Sequence, residues 1–258
     1  MPMRDWNTAL YMKFDAERTR AARDLLAQVP KFNPQTIYDL GCGPGNSTQL
    51  LVDAFPKAKV IGLDSSHNML EVARETVPHA AFIKQDILTW APDAPVDLIF
   101  SNAALHFLPD HHELIIKLVS FLRPGGVLAL QMPNNIQELS HALMRMIAAD
   151  WPWSKRLVPI AKTRAVIGAT EDYYGWLTSV CTKVDLWLTT YIHPLDGADG
   201  IIEWFVGSGL RPFLEPLTPG ERDAFLAIYR AELVAAYPHQ PNGKVLLRYP
   251  RLFFVVER

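Results

Sequence analysis

Asp39, Gly41, Gly43 and Gly45 stand within one run of seven, Asp39-Leu40-Gly41-Cys42-Gly43-Pro44-Gly45, and their types restrict what such a run can bind. Glycine has no Cβ, so a turn built from it lets backbone amides come up against a ligand. The dinucleotide fingerprint spaces its glycines GxGxxG and seats a pyrophosphate on the amides of the helix that follows. Here the third glycine comes one residue early, and Pro44 has no N–H to offer a phosphate. Asp39, two residues before the first glycine, repels an anion and suits a ligand with a positive group, such as the ammonium of an amino acid. S-adenosylmethionine carries that ammonium and a sulfonium and has no phosphate, so the run predicts it as the cofactor.

Further candidates follow at intervals. Asp64, with Ser65 beside it, comes about twenty residues beyond the turn, the place from which an acid reaches a ribose diol. A plain helix cap is the alternative, and Ser65 or Ser66 can supply that instead. Asp86 can accept from an adenine amino group while Ile87 packs on the ring; otherwise Asp86 is a loop acid. Asn102 is either a ligand for the methionine portion or a turn residue. His106 is placed to border a transferable methyl or to sit on the surface. With His111, His112 and Asp110 it makes a spacing foreign to metal sites, so no metal is expected. Tyr191, His193, Arg164, Arg211 and Arg248 can hold carboxylates if they converge, arginine by two parallel hydrogen bonds; singly each arginine reads as a solvated charge. The tryptophans at 151, 153, 176, 187 and 204 read as packing.

These residues need a scaffold, and the hydrophobic pattern supplies one. A helix is expected over 14–29, stopped by Pro30. Apolar runs at 36–40, 59–63, 81–84, 96–101 and 127–131 alternate with helical segments at 47–55, 66–75 and 111–122, as parallel strands with crossover helices do. Arg123-Pro124-Gly125-Gly126 reads as a turn. Beyond Met132 a helix capped by Asn134 or Asn135 would carry Leu139, Leu143, Met146 and Ile147 on one side. A loop over 150–159, helices at 170–180, 198–207 and 219–237, and strands at 183–192 and 251–256 complete the chain. The expected fold is α/β, a doubly wound, mostly parallel seven-stranded sheet with helical lid insertions in the C-terminal half. A single domain is expected: strap and helix over 1–30, cofactor-binding core over 31–133, lid elements and a late strand over 134–246, final strand over 247–258.

Composition narrows the classes of function. Hydrophobic residues make up 49% of the 258, enough for a full core, and the net charge of -2 with no Lys/Arg run argues against a nucleic-acid surface. No stretch has the roughly 18 apolar residues of a membrane span, and no secretory signal is evident. Cys42 and Cys181 are too far apart in sequence to suggest a disulfide framework. A cytoplasmic monomer acting on a small molecule is the expectation.

Taken together, DLGCGPG at 39–45, Asp64, Asp86-Ile87, DLIFSNAALHFLPD at 97–110 and LRPGG at 122–126 resemble the class I S-adenosylmethionine-dependent methyltransferases. The flanks DWNTALYMKFDAERTR, QMPNN, TTYIHPL, GLRPFL and YPRLFFVVER are similar to those of the trans-aconitate methyltransferase family within that superfamily. Residues 151–167 depart from the family pattern. The resemblance implies a Rossmann-like fold and methyl transfer from S-adenosylmethionine to one carboxylate of a small tricarboxylate, releasing S-adenosylhomocysteine. Since such carboxyls are ionised at neutral pH, no catalytic base is expected, with His106 the candidate if one exists. Trp6 and Tyr11 are expected to close over a substrate held by His106, Tyr191, His193, Arg211 and Arg248. Another small acceptor, or a non-catalytic binder of the same cofactor, are the alternatives.

Overall fold

The computed structural model describes residues 14–150, 152–163 and 167–258. Trp6, Tyr11, Trp151 and Arg164 lie outside them. Two units are distinguished, one of Met1–Pro133, Ile167–Thr189 and Leu252–Arg258, the other of Asn134–Val166 and Thr190–Arg251.

In the first unit α1 (Asp15–Leu26) precedes β1 (Thr36–Leu40), α2 (Asn46–Ala54), β2 (Lys59–Asp64), α3 (His67–Thr76) and β3 (Ala81–Lys84). Then come β4 (Val96–Asn102), a 3-10 turn at Leu105–Phe107, α4 (His111–Ser120) and β5 (Leu122–Pro133). In the second unit lie α5 (Leu139–Ala148) and α6 (Ser154–Thr163); α7 (Thr170–Thr178), in the first, leads to β6 (Lys183–Leu195). Last come α8 (Gly197–Val206), α9 (Arg211–Leu214), α10 (Pro219–Ala236) and β7 (Val245–Glu257). The seven-stranded order is β3-β2-β1-β4-β5-β7-β6, and the pairs β1–β2, β2–β3, β1–β4 and β4–β5 are parallel. The chain runs outward from β1 to β3 and returns to β4 on the other side of β1. The order therefore reverses between β1 and β4, and ligands of open α/β sheets bind at the carboxyl ends of strands at such a point.

The strands hold because both faces are covered. Leu40, Leu63, Ile99, Leu128 and Leu130 are buried with Ile115, Leu118 and Val119 of α4 in one apolar cluster. Leu114, Ile115, Leu118 and Val119 recur at helical spacing, which explains why α4 forms where the periodicity predicts it. Ser66 caps α3, its hydroxyl accepting from the Met69 N–H, so Asp64 is not needed for that task.

The structure corrects several expectations. Arg123–Gly126 is not a turn between elements: β5 begins at Leu122, and the register jumps from Val96↔Leu122 to Leu98↔Val127. The extra residues form a bulge whose Gly125 N–H donates to the Arg258 carbonyl, so the apparent stop signal is absorbed into the ladder. α5 is preceded by Glu138 rather than capped by Asn134 or Asn135, and Leu139 and Met146 face outward. The 150–159 loop is largely helix, α6, with Pro159 inside it. Its inward residue Leu157 is fully buried, and Arg156 pairs with Glu221 of α10, which offsets the one hydrogen bond that proline removes. In the same unit Trp153 and Phe213 pack on Phe225, and α10 starts with a capping box between Thr218 and Glu221. Among the described residues no helix is long and apolar enough to cross a membrane.

Candidate cofactor site

The loops after β1, β2, β3 and β4 carry Gly41–Gly45, Asp64–Ser66, Asp86-Ile87 and Asn102–His106. Because these strands are parallel and adjacent, all four loops leave the same edge of the sheet. Residues far apart in sequence thus meet at the reversal point.

Asp39, near the end of β1, is wholly buried. Its Oδ2 accepts from the hydroxyls of Ser47 and Thr48, each at 2.7 Å, so the first turn of α2 holds the carboxylate in place. Its Oδ1 has no hydrogen-bond partner among the described residues. Burial pushes its pKa up to about 6 against the hydroxyl bonds, and the nearby Asp64 charge adds to the rise. A buried carboxylate with one oxygen unmatched fits a cationic ligand and disfavours an anionic one.

Gly41 and Gly43 have φ of 69° and 55°, the left-handed region that glycine enters without penalty. Around a Cβ added at Gly43 there is nothing within 4 Å among the described residues, so none of them covers the backbone of the turn there. Gly45 (φ 98°) is the N-cap of α2. Asp64 reaches back from β2: Oδ2 accepts from the Gly43 N–H at 2.9 Å and Oδ1 from the Ser66 N–H at 2.8 Å. The acid predicted for a ribose therefore also fixes the shape of the glycine turn, while Ser65 beside it is exposed.

Asp86 is exposed and accepts from the Leu88 N–H at 2.9 Å, a local turn that orients its carboxylate. Ile87 is buried, its Cδ1 3.8 Å from the point where a Gly41 Cβ would stand. Asn102 ends β4 with its Oδ1 buried and without a partner among the described residues. The next residue, Ala103, has φ 56°, a strained conformation for a side chain with a Cβ. His106 follows on the 3-10 turn, half-buried, its ring 3.9 Å from that of Phe107. His111 and His112 engage Tyr173 and Trp176 instead. Beside the turn is a cavity of about 20 Å³ lined by Arg18, Thr19, Ala22, Gly41, Cys42, Pro44, Asn46, Ser47 and Asn102.

In the second unit Tyr191 and His193 are buried on β6 with their rings parallel, and His193 stacks on Trp204 at 4.4 Å. Arg211 pairs with Glu215 at 2.8 Å, and Arg248, largely exposed, stands 3.7 Å from Glu138. Both cations thus already face a carboxylate. Sequence reasoning passed over Arg251, which is buried, with its guanidinium 4.7 Å from the Tyr249 ring centre and 5.7 Å from that of Tyr191. The signal was present: Val245, Leu247, Tyr249 and Arg251 fall on alternate positions of β7 and share its buried side. Arg18 was passed over as well. It lies at helical spacing from the buried Ala22 and Leu25.

The donor set fits S-adenosylmethionine: an unmatched buried acid for a cation, turn backbone at Gly43 that no described residue covers, an acid at the end of the second strand and an unmatched amide oxygen at the end of the fourth. Known proteins agree. A family model described as a methyltransferase domain matches residues 37–126. Among solved structures, the YcgJ protein of Bacillus subtilis superposes with a TM-score of 0.60 at 12% identity, covering 93% of this chain and 98% of that one. Phosphoethanolamine N-methyltransferase 2 of Haemonchus contortus, in complex with phosphomonomethylethanolamine and S-adenosylhomocysteine, gives 0.54 at 16% identity, covering 92% of this chain and 52% of that one. These likenesses concern the fold. Sequence relatives reach further. Trans-aconitate 2-methyltransferase of Rhodopseudomonas palustris (strain BisB5) is 49% identical over 98% of this chain and 99% of its own length. The protein of that name from Methylobacterium nodulans is 50% identical over 99% of each. The alignments extend over both units, and the chain belongs to the trans-aconitate 2-methyltransferase family.

Proposed function

We propose that the protein transfers the methyl group of S-adenosylmethionine to a carboxylate of trans-aconitate, giving a monomethyl ester and S-adenosylhomocysteine. The observation that carries this reading is the 49% and 50% identity to trans-aconitate 2-methyltransferases over nearly the full length of both partners. When bound, S-adenosylmethionine supplies an electrophilic methyl group on a sulfonium.

The chain's own residues bind and orient. Asp39 with the turn Gly41, Gly43 and Gly45 takes the amino-acid end, Asp64 and Ser65 the ribose diol, Asp86 and Ile87 the adenine, and Asn102 the methionine portion. Trp6, Tyr11, His106, Tyr191, His193, Arg211 and Arg248 are assigned to the acid substrate. A carboxylate is already a nucleophile at neutral pH, because carboxyls titrate near 4, so no residue has to remove a proton. The residues' task is to hold the attacking oxygen near the methyl carbon and in line with the leaving sulfur. Residues 1–258 are read as one methyltransferase domain in which 134–246 are insertions for the substrate. Two free thiols, Cys42 and Cys181, accord with a cytoplasmic setting. The protein is read as a monomer of 29.1 kDa.

Incubation with methyl-labelled S-adenosylmethionine and a panel of di- and tricarboxylic acids, followed by mass spectrometry, tests the reading. One labelled methyl on trans-aconitate is expected. Label on no acid, or on another acid in preference, would remove the substrate assignment.

A further inference from the structure

We infer that Arg251 of β7 binds a carboxylate of trans-aconitate other than the one that is methylated; this rests on the proposed function and adds a residue that it lacks. β6 and β7 are neighbours in the sheet, and side chains two apart on a strand share a face. Tyr191 and His193 of β6, and Tyr249 and Arg251 of β7, are such pairs, and all four are buried. One face of the two strands thus gathers a guanidinium, an imidazole and two phenols inside the second unit.

Aromatic packing fixes these groups. The Arg251 guanidinium carbon lies 4.7 Å from the Tyr249 ring centre and 5.7 Å from that of Tyr191. His193 stacks on Trp204 of α8 at 4.4 Å and meets Tyr249 edge-on at 5.7 Å, and Trp204 packs on Tyr249 at 5.5 Å. A ring over a guanidinium covers its face, while the N–H groups point outward in its plane. A planar carboxylate meets that edge with two parallel hydrogen bonds.

Burial sets this cation apart from others in the same unit. Arg156, Arg230 and Arg248 are exposed, where water screens a charge contact. Arg251 is 3% exposed, so a carboxylate that reaches it meets a charge in a medium of low dielectric, where attraction is stronger. A tricarboxylate that offers one group to the methyl keeps two ionised groups to be held. The cluster supplies an arginine for one of them, with hydroxyl and imidazole groups beside it.

The test compares the wild-type protein with Arg251→Met and Arg251→Lys, each loaded with S-adenosylhomocysteine, in calorimetric titrations of four acids. These are trans-aconitate and the dicarboxylates mesaconate, itaconate and cis-glutaconate, each of which lacks a different one of its carboxylates. Arg251→Met should weaken trans-aconitate and two of the dicarboxylates by roughly 30-fold or more, as expected when a buried charge contact is removed. The remaining dicarboxylate, lacking the contacted group, should bind both proteins alike, and Arg251→Lys should fall between them on the other acids. Affinity for S-adenosylhomocysteine should stay unchanged. An Arg251→Met protein that binds trans-aconitate as the wild type does overturns the inference. So does an equal loss on all four acids, or a parallel loss of S-adenosylhomocysteine. Should neither variant fold, a crystal structure of the wild type with S-adenosylhomocysteine and trans-aconitate decides. A carboxylate about 3 Å from the guanidinium supports the inference, and carboxylates bound only elsewhere overturn it. A wild type that methylates trans-aconitate while these tests fail refutes the inference alone; one that neither binds nor methylates it refutes the proposed function as well.

Discussion

Gly41 and Gly43 differ by two positions and by what surrounds them. Both hold positive φ, yet a Cβ at Gly41 would stand 2.2 Å from the Cβ of Ala104, whereas one at Gly43 meets nothing within 4 Å among the described residues. The first glycine is required by packing, whereas no packing among the described residues requires the second. Gly41→Ala should lower stability by about 3 kcal/mol, backbone strain and overpacking together. Gly43→Ala should cost only about 1 kcal/mol of strain and stay folded. Its added methyl should nonetheless weaken S-adenosylhomocysteine binding by roughly tenfold or more, because the turn's backbone no longer admits close approach. Urea unfolding and calorimetry on the two variants separate these effects. A Gly43→Ala protein with unchanged affinity would mean that the ligand does not lie against this turn.

At the scale of elements, the 3-10 turn Leu105–Phe107 depends on a histidine that is not itself at the site. His111 of α4 is buried, and its Nε2 donates to the Leu105 carbonyl at 3.0 Å, since a carbonyl only accepts. Its Nδ1 must then accept from the Tyr173 hydroxyl of α7. One imidazole in one tautomer ties α7, α4 and the turn that carries His106. Tyr173→Phe leaves that nitrogen buried and unmatched, and should cost about 1 to 2 kcal/mol. Amide exchange should quicken in α7 and over 105–107 and stay unchanged in α2; a uniform loss of protection would refute the local tie. Helix α6 makes a related point about legibility. Pro159 read as a loop signal, yet burial of Leu157 and the Arg156–Glu221 pair outweigh the single hydrogen bond a proline removes.

For the whole molecule, Asp39 couples ligand preference to stability. Its pKa is raised from 3.8 to about 6 by burial, so between those values the folded chain holds a proton that the unfolded chain has released. Stability should therefore fall as pH rises through that window, and the ionised carboxylate costs about 2 kcal/mol at pH 7 relative to pH 4. Asp39→Asn removes the titration. Its stability relative to the wild type should climb between pH 4 and pH 7 by an amount of that order, while affinity for S-adenosylhomocysteine drops. Urea unfolding at a series of pH values checks this, and a constant difference between the two proteins would sink it. Under the proposed cofactor reading, the charge is kept at a cost in stability because it meets a cation.

The sequence by itself determined the alternation of strands and helices, the GxGxG turn after β1, the acid after β2 and the family, because periodicity, turn chemistry and motif spacing are written in short stretches of chain. The register of β5 was not legible, since the Arg123–Gly126 bulge is fixed by Val96 and Leu98 of β4 and by Arg258 just past β7. Nor was the inward aim of Arg251, a cation that composition assigns to the surface. Only the tertiary structure decided that Asp39 is buried with an oxygen unmatched among the described residues and that Arg251 faces inward, because burial is a property of the neighbours that folding brings from elsewhere in the chain.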